Sequence, residues 1–186
     1  MKTLKFKITG TSPLLMHNGR LSDPLDEFSK KIKEVSSKRK KTEEDHERMA
    51  ELEFLGSLYL SSGKPCIPGF CIEAALAEAA KKVRSRKQAQ AGIFVQDDSA
   101  LVYDGPKTVD GLWKDSKFRL RASARVQNNR IMRTRPCFLE WSASFSVSYD
   151  EGMFNDSDIK SLVRTCGETV GLLDWRPRFG RFQIEA

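Results

Sequence analysis

The residues of this sequence that are best suited to chemistry are the cations of one short segment. Between Ser116 and Leu139 there is no carboxylate, whereas one lysine and six arginines contribute a charge of +7, equal to the net charge of the whole chain. Arginine presents a planar fork of donors that suits phosphate groups. The segment therefore predicts a surface that binds a polyanion. Its cations are Lys117, Arg119, Arg121, Arg125, Arg130, Arg133 and Arg135.

The spacing of these arginines suits an extended ribbon. Arg119, Arg121 and Arg125 occupy alternate positions, and so do Arg133 and Arg135, so each set would lie on one face of a strand and follow successive phosphates. A solvated basic hairpin, or a patch for an acidic protein, is the alternative interpretation. Three nearby aromatic residues are suited to stacking on unpaired bases, as single-strand binders require. They are Phe118, Phe138 and Trp141.

A second segment with binding capacity runs from Gly167 to Phe182. It holds three glycines, three arginines and three aromatic residues. Glycine permits a close approach of the backbone to a ligand, and arginine supplies positive charge. The segment therefore predicts a binding loop, with a tight structural turn as the alternative. Its candidate residues are Gly167, Gly171, Gly180, Trp175, Arg176, Arg178 and Arg181.

The sequence gives little support for a metal or a cofactor. Cys66, Cys71, Cys137 and Cys166 lack the Cys-x-x-Cys spacing of a zinc site, and neither histidine lies near them in the sequence. We interpret them as buried free thiols rather than as a disulfide framework. The glycine-rich fingerprints of nucleotide-phosphate and dinucleotide sites are also missing from the sequence. We therefore predict no metal and no cofactor.

The size of the chain favours one domain. With 186 residues, of which 39% are hydrophobic, it can bury a substantial core. No apolar run approaches the length of about 18 residues that indicates a membrane helix. The N-terminus also lacks the continuous apolar stretch of a secretory signal. We therefore expect a cytoplasmic protein without a membrane partner.

Hydrophobic periodicity predicts the elements of the first half of the chain. Alternation over residues 3–10 predicts a first strand. Helical spacing within residues 20–60 predicts two helices, or one broken helix, as an insertion. An apolar stripe from Ile72 to Val83 predicts a helix over residues 70–86. The N–H groups that follow Pro68 at its start could meet a phosphate or be capped locally. The apolar positions of the insertion are Leu25, Phe28, Ile32, Val35, Met49, Leu52, Leu55 and Leu58.

The second half of the chain predicts a ribbon, a long strand, a helix and a last strand. Turn signals within residues 93–135 predict short strands, and the Asn128-Asn129 pair predicts the turn of the arginine-rich ribbon. From Trp141 to Tyr149 apolar residues alternate strictly with four serines, which predicts a half-buried strand. A helix that ends at Gly167 and a strand over residues 179–185 follow. The whole order approximates βαββαβ with additions in two connections.

Three motifs resemble the RAMP superfamily, the RNA-binding proteins of CRISPR systems. Gly-x-x-x-Gly-Leu followed by Arg-Pro-Arg-Phe-Gly-Arg-Phe, within residues 167–182, looks like the glycine-rich loop of that family. Residues 11–16, Thr-Ser-Pro-Leu-Leu-Met, are similar to the start of those proteins. Residues 65–76 resemble their Ile-Pro-Gly-Ser-Ser helix start, although Phe70 and Cys71 replace the hydroxyl pair and Ala74 replaces a glycine.

The resemblance implies a fold and a function. The fold is a single α+β domain over residues 1–186, with a ferredoxin-like, RRM-related βαββαβ core, a helical insertion at about 20–60 and a β-ribbon thumb at about 93–135. The function is that of a sequence-tolerant scaffold that binds single-stranded RNA, such as a guide RNA, or else DNA, in a CRISPR-type ribonucleoprotein of antiviral defence. Such subunits form a homo-oligomer along the strand or join a larger assembly. We expect the arginines of both segments to converge on one groove.

Two alternatives follow from the same resemblance. Some members of the family cut RNA with a loop aspartate or a histidine base, and Asp23 and His17 are the corresponding candidates in this sequence. Ser-Asp-Pro is also a common helix cap, and a lone loop histidine is commonly a surface residue. A protein-interaction module that docks on a CRISPR-type complex is the other alternative. We prefer binding without catalysis.

Overall fold

The computed structural model describes residues 1–126 and 129–185, except for the side chains of residues 125, 126 and 129. It is a mixed α+β structure with antiparallel sheets. Within the described residues, no helix is both long and apolar enough to cross a lipid bilayer. The helices are α1 (Glu27–Ser36), α2 (Glu43–Ser57), α3 (Gly69–Ala80), α4 (Arg86–Gly92), α5 (Val109–Lys114) and α6 (Asp156–Thr169). The strands are β1 (Lys2–Gly10), β2 (Leu14–Leu15), β3 (Leu60–Ser61), β4 (Lys64–Ile67), β5 (Ile93–Phe94), β6 (Ser99–Ala100), β7 (Arg119–Val126), β8 (Asn129–Phe138), β9 (Ser142–Tyr149) and β10 (Phe182–Ile184).

The chain forms two compact units, each built from separated segments. The first, called the sheet unit, contains Met1–Leu15, Leu60–Asp104 and Leu139–Ala186. The second, called the ribbon unit, contains Met16–Tyr59 and Gly105–Phe138. The ribbon unit thus combines most of the helical insertion with the arginine-rich segment, two parts of the sequence that are far apart along the chain.

The sheet unit contains a four-stranded antiparallel sheet in the order β10-β1-β9-β5. Phe6 of β1 lies opposite Phe145 of β9, with ring centroids 5.8 Å apart, and both are buried. The predicted alternation in β9 is confirmed, because residues 143, 145, 147 and 149 are buried while the intervening serines are more exposed. The buried side chains of α3 and α6 complete this core, and the two helices contact each other.

The predicted helix over residues 70–86 is wrong in its second part. The helix α3 ends at Ala80, and a short 3₁₀ turn leads to Arg84, whose φ of 59° is left-handed. Val83, which was expected on the apolar stripe, is 71% exposed. The cations that follow Ala80 are better hydrated than buried, which favours ending the buried helix there. The stripe in α3 itself is confirmed, because Ile72, Ala75, Leu76, Ala79 and Ala80 are buried.

The predicted end of α6 at Gly167 is also wrong. The helix starts with a capping box between Asn155 and Asp158, and it continues through Gly167 to Thr169. A side chain at Gly167 would place its Cβ 2.3 Å from the carbonyl oxygen of Phe182. Gly167 therefore permits close helix–strand packing, and the left-handed residue after the helix is Gly171, with φ of 79°.

The ribbon unit contains α1, α2, α5 and the antiparallel β7–β8 ribbon. Two separate helices are confirmed for the insertion, and a capping box between Thr42 and Asp45 starts α2. Leu25 precedes α1 and is 75% exposed, so its expected place on the apolar face is wrong. The helix α5 was missed, because the sequence around it predicted only short strands. The ribbon is confirmed as a hairpin, whereas its predicted turn at Asn128-Asn129 falls partly outside the described residues.

Candidate nucleic-acid interface

The register of the ribbon divides its arginines between two faces. Residues directly opposite each other in an antiparallel pair share a face, and neighbours along a strand alternate. Arg121 lies opposite Thr134, whereas Arg133 lies opposite Ala122. The other arginine positions on the face of Arg121 are 119, 125 and 130, and these four positions are called the arginine face. Arg133 and Arg135 lie on the other face.

Arg133 and Arg135 are engaged within the ribbon unit. The carboxylate of Glu53, which is 6% exposed, accepts a bond from Arg133 and a 3.0 Å bond from the N–H of Thr134. Arg135 is 9% exposed. Burial and the neighbouring charge of Arg133 lower its pKa, while Glu53 opposes that effect. The structure therefore assigns these two arginines to the junction between α2 and β8.

The arginine face is accessible. Arg121 and Arg130 are exposed, and neither forms an ion pair within residues 1–126 and 129–185. The backbone of Arg125 lies opposite Arg130, while its side chain falls outside the described part. A strand of phosphates could therefore contact cations here that are not already neutralised.

An aromatic side chain that the sequence analysis did not single out lies beside this face. Trp113 of α5 packs on Phe54 of α2, with ring centroids 5.4 Å apart. The guanidinium carbon of Arg119 lies 4.5 Å from the centre of the Trp113 ring. A groove of about 460 Å³ is lined by Trp113, Arg119, Arg121 and residues of α2. A half-buried, rigidly supported aromatic ring next to free cations is the combination that single-strand binding requires.

The three aromatic residues expected to stack on bases are core residues instead. Phe118 is 8% exposed and Phe138 is fully buried, and their rings pack edge to face at 5.7 Å. Trp141 is 3% exposed and donates its indole N–H to the carbonyl of Ser12 at 2.9 Å. None of the three offers a free face to a base, so this part of the expectation is corrected. The three rings are close to the arginines in the sequence, but that closeness does not indicate whether a ring faces the core or the solvent.

The glycines of the C-terminal loop allow the chain to pack on itself. Gly171 and Gly180 are left-handed, with φ of 79° and 75°. A Cβ at Gly180 would lie 2.0 Å from the carbonyl oxygen of Leu172, and the N–H of Gly180 bonds to the carbonyl of Pro13 at 2.8 Å. These contacts explain both glycines by backbone packing within the sheet unit.

The cations of the same loop are on its surface. Arg176, Arg178 and Arg181 are exposed, although Arg181 donates through Nε to the carbonyl of Pro177 at 2.8 Å. Trp175 is half-buried, contacts Phe179 at a centroid distance of 6.0 Å, and has a left-handed φ of 49°. The loop belongs to the sheet unit and the ribbon to the ribbon unit. The expected convergence of the two segments on one groove stays a prediction.

The start of α3 is capped by a side chain from outside the helix. The N–H of Gly69 donates to the carboxylate of Asp98 at 3.2 Å, and a Cβ at Gly69 would lie 2.2 Å from the carbonyl oxygen of Val95. A carboxylate thus occupies a position that an incoming phosphate would need. The local-capping interpretation accounts for this helix start.

His17 is poorly placed for acid–base catalysis. Burial, together with the charges of Arg135 and Arg133, lowers the pKa of His17 to about 4. Its Nδ1 lies 3.5 Å from the hydroxyl of Ser57, and the hydroxyl of Tyr59 donates to its carbonyl. An imidazole with this pKa is a weak base at neutral pH.

Asp23 has a structural partner. Its carboxylate accepts the N–H of Leu25 at 2.8 Å, which closes a turn before α1. The residue that caps α1 is Asp26, which accepts the N–H of Phe28 at 2.9 Å. The Ser-Asp-Pro motif indicated Asp23 as the helix cap, whereas the cap of α1 is Asp26, three residues later.

The cysteines do not form a reactive or metal-binding group in the described part of the chain. Within the described residues none of the four forms a disulfide, and Cys66, Cys137 and Cys166 are buried while Cys71 is half-buried. Burial raises the pKa of Cys66 and Cys137 to about 11 and that of Cys166 to about 12. Among the described residues, no three His, Cys, Asp or Glu side chains come together as a metal site.

No protein-family model matches the chain, and a search of curated proteins finds no significant match. The geometry of the arginine face and of Trp113 is therefore the basis for assigning a function.

Proposed function

We propose that this protein binds single-stranded RNA along the arginine face of the β7–β8 ribbon and acts as a scaffold subunit of a CRISPR-type ribonucleoprotein. One observation carries the proposal: free cations at Arg121 and Arg130 share a face with Arg119, which lies on the ring of Trp113. The cations suit phosphates, and Trp113 together with the guanidinium plane of Arg119 suits stacking on an unpaired base.

The stack beside the ribbon supports a single strand over a duplex. Trp113 packs on Phe54 at an interplanar angle of 55°, carries the Arg119 guanidinium over its ring, and lines the groove together with Arg119. Bases in a duplex are stacked on each other and are not available to such a ring, whereas the bases of a single strand are. Stacking is also tolerant of base identity, as a scaffold requires.

The sheet order supports the ferredoxin-like part of the proposal. If β1, β5, β9 and β10 are taken as the four core strands, α3 lies between the first and second and α6 between the third and fourth. This is the order of a βαββαβ unit, and the sheet is antiparallel with the first and third strands in its centre. In this proposal the ribbon unit corresponds to the helical insertion and the thumb.

Salt-dependent binding tests the proposal. Fluorescence anisotropy with a labelled, unstructured RNA of mixed sequence would compare wild type with the triple variant Arg119→Gln, Arg121→Gln, Arg130→Gln. Each lost phosphate contact lowers the slope of log affinity against log salt by about 0.7 for a single strand, so we expect a decrease of about 2. Single-stranded DNA and duplex RNA of the same sequence, measured in parallel, show which nucleic acid is preferred.

A matched control removes the same charge from the same unit. Lys30, Lys33 and Lys40 are exposed and form no ion pair within the described residues. Their triple replacement by glutamine should leave the slope within about 0.5 of wild type if the arginine face is the site. If both triple variants lowered the slope of log affinity against log salt equally, net charge alone would account for binding, and the proposal would be rejected.

The aromatic contribution has its own readout. Replacing Trp113 by leucine keeps an apolar contact for Phe54 but removes the flat ring. We expect affinity to fall by about tenfold with an unchanged salt slope, because stacking contributes about 1–3 kcal/mol per base and involves no counterion release. Unchanged affinity would remove Trp113 from the interface.

Assembly along the strand is the remaining part of the proposal. The mass of the protein would be measured by light scattering with RNA of about 10, 20 and 40 nucleotides, in the range of site sizes known for single-strand binders and above it. A bound protein number that rises with RNA length supports a scaffold that coats the strand. A single bound copy at every length would contradict it.

A further inference from the structure

A cleft in the sheet unit is suited to a small ligand. Its volume is about 770 Å³, within the range of small-molecule sites. It lies between the C-terminal end of α3 and the loop after α6, and its wall includes Lys82, Asp174, Trp175 and Arg176. All of these residues belong to the sheet unit, whereas the arginine face belongs to the ribbon unit.

The side chains of the cleft combine three kinds of contact. Trp175 lines the cleft, and its ring contacts that of Phe179 at a centroid distance of 6.0 Å. Lys82 and Arg176 are exposed and form no ion pair among the described residues, so both can meet an anion. Asp174 adds a carboxylate, which accepts bonds from hydroxyl or amino groups.

The end of α6 adds further acceptors. Thr169 and Val170 line the cleft where this helix ends. The last carbonyl groups of a helix lack partners within it and carry partial negative charge, so they favour donors over anions. The cleft therefore has a part suited to hydroxyl and amino groups as well as cations suited to a phosphate.

The backbone of the loop is held in an unusual conformation at this wall. Leu173 and Trp175 both have left-handed φ values, 60° and 49°, although neither is glycine. A side chain with a Cβ disfavours this conformation sterically, and strained positions of this kind cluster at ligand sites. Trp175 thus combines a left-handed backbone conformation with a place in the wall of the cleft.

We propose that this cleft binds one nucleoside monophosphate unit, with its base on Trp175 and its phosphate at Lys82 and Arg176. An aromatic ring, cations and acceptors for a sugar or base are the groups that this ligand needs. The unit could be a free nucleotide or the phosphorylated end of an RNA strand. The site does not depend on RNA binding by the ribbon.

Nuclear magnetic resonance of the indole N–H groups gives a site-specific test. The protein has three tryptophans, so Trp113, Trp141 and Trp175 give three resonances that single phenylalanine variants can assign. Titration with AMP should move the Trp175 resonance in a saturable manner. Adenosine or inorganic phosphate alone should bind at least about tenfold more weakly, since each makes only part of the contacts. No change at Trp175 up to about 10 mM AMP, or a change at Trp113 alone, would overturn the proposal.

Two exposed lysines give a matched pair of variants. Lys82→Gln should weaken AMP binding by at least about threefold, because a charge-assisted contact is lost. Lys87→Gln should not, since Lys87 is also exposed but does not line the cleft. Equal affinities in these two variants would exclude a phosphate position beside Lys82.

An RNA experiment distinguishes the two sources of the nucleotide. An octanucleotide with and without a 5′-phosphate would be added to the arginine-face triple variant, in which ribbon binding is reduced. A gain in affinity from the phosphate, with a shift at Trp175, assigns the strand end as the source. If AMP saturates the site but the 5′-phosphate gives no gain in affinity, the ligand is a free nucleotide. If neither effect is seen, the site is rejected. Failure of this test leaves the salt-slope result for the ribbon unaffected.

Discussion

Replacing Glu53 by alanine tests how the arginine-rich ribbon is fixed to α2. In the structure this carboxylate is 6% exposed and bonds to both the Arg133 guanidinium and the N–H of Thr134. Its loss would leave a buried N–H without an acceptor, which costs about 1–3 kcal/mol. Arg133 is about one-third exposed and can regain water, so its lost pair adds only about 1 kcal/mol. We therefore expect Glu53→Ala to lower the free energy of unfolding by about 2–4 kcal/mol.

Urea unfolding followed by circular dichroism at pH 7 measures this loss. Glu51→Ala is the control, because it makes the same exchange in the same helix but breaks only a surface pair with Arg48. Apart from the change in helix propensity that both alanine variants share, Glu51→Ala should lower the free energy of unfolding by about 0.5 kcal/mol or less. Glu53→Gln should lie between the two, since its amide oxygen can still accept the Thr134 N–H. A difference below about 0.5 kcal/mol between the two alanine variants would refute the anchoring role.

Three further predictions concern protonation, backbone and thiols. The His17 ring should titrate near pH 4 by nuclear magnetic resonance. Because the unfolded chain binds this proton at a higher pH than the folded protein, the free energy of unfolding should fall as pH drops from about 6.5 towards 4. The fall should be smaller in His17→Gln. Gly180→Ala should lower the melting temperature far more than Gly63→Ala: both have φ near 75°, but only Gly180 has a carbonyl oxygen 2.0 Å from the new Cβ. Iodoacetamide in native buffer should modify the half-buried Cys71 before the buried Cys66, Cys137 and Cys166, as mass spectrometry of peptides would show.

The parts of the fold that the sequence predicted well are those in which local pattern and burial agree. The alternation in β1 and β9 follows from a sheet with one buried face, which requires an apolar residue at every second position. The helix α5 was missed because six residues are too short for a helical period to be seen. A short helix of this kind is stabilised by its cap at Thr108 and by tertiary packing.

The candidate site was only partly predictable, for a similar reason. The concentration of positive charge in residues 116–139 indicated the ribbon. The face of the ribbon on which each arginine lies, however, depends on how β7 and β8 pair. The sequence placed Arg133 and Arg135 with the binding residues, whereas Glu53, 80 residues from Arg133 along the chain, accepts a bond from Arg133. In the same way, the contact of Trp113 with Phe54 and Arg119 joins separate elements. Long-range contacts of this kind leave no local signal.

The construction of the ribbon unit from Met16–Tyr59 and Gly105–Phe138 has a consequence for synthesis and for engineering. On the ribosome, α1 and α2 emerge before β7 and β8, and the 45 residues of Leu60–Asp104 are synthesised between the two halves of the unit. Early helices with an uncovered apolar side are candidates for chaperone binding. Excision of this unit as one piece would need an artificial linker from residue 59 to residue 105, because the sheet-unit segment Leu60–Asp104 separates its two halves.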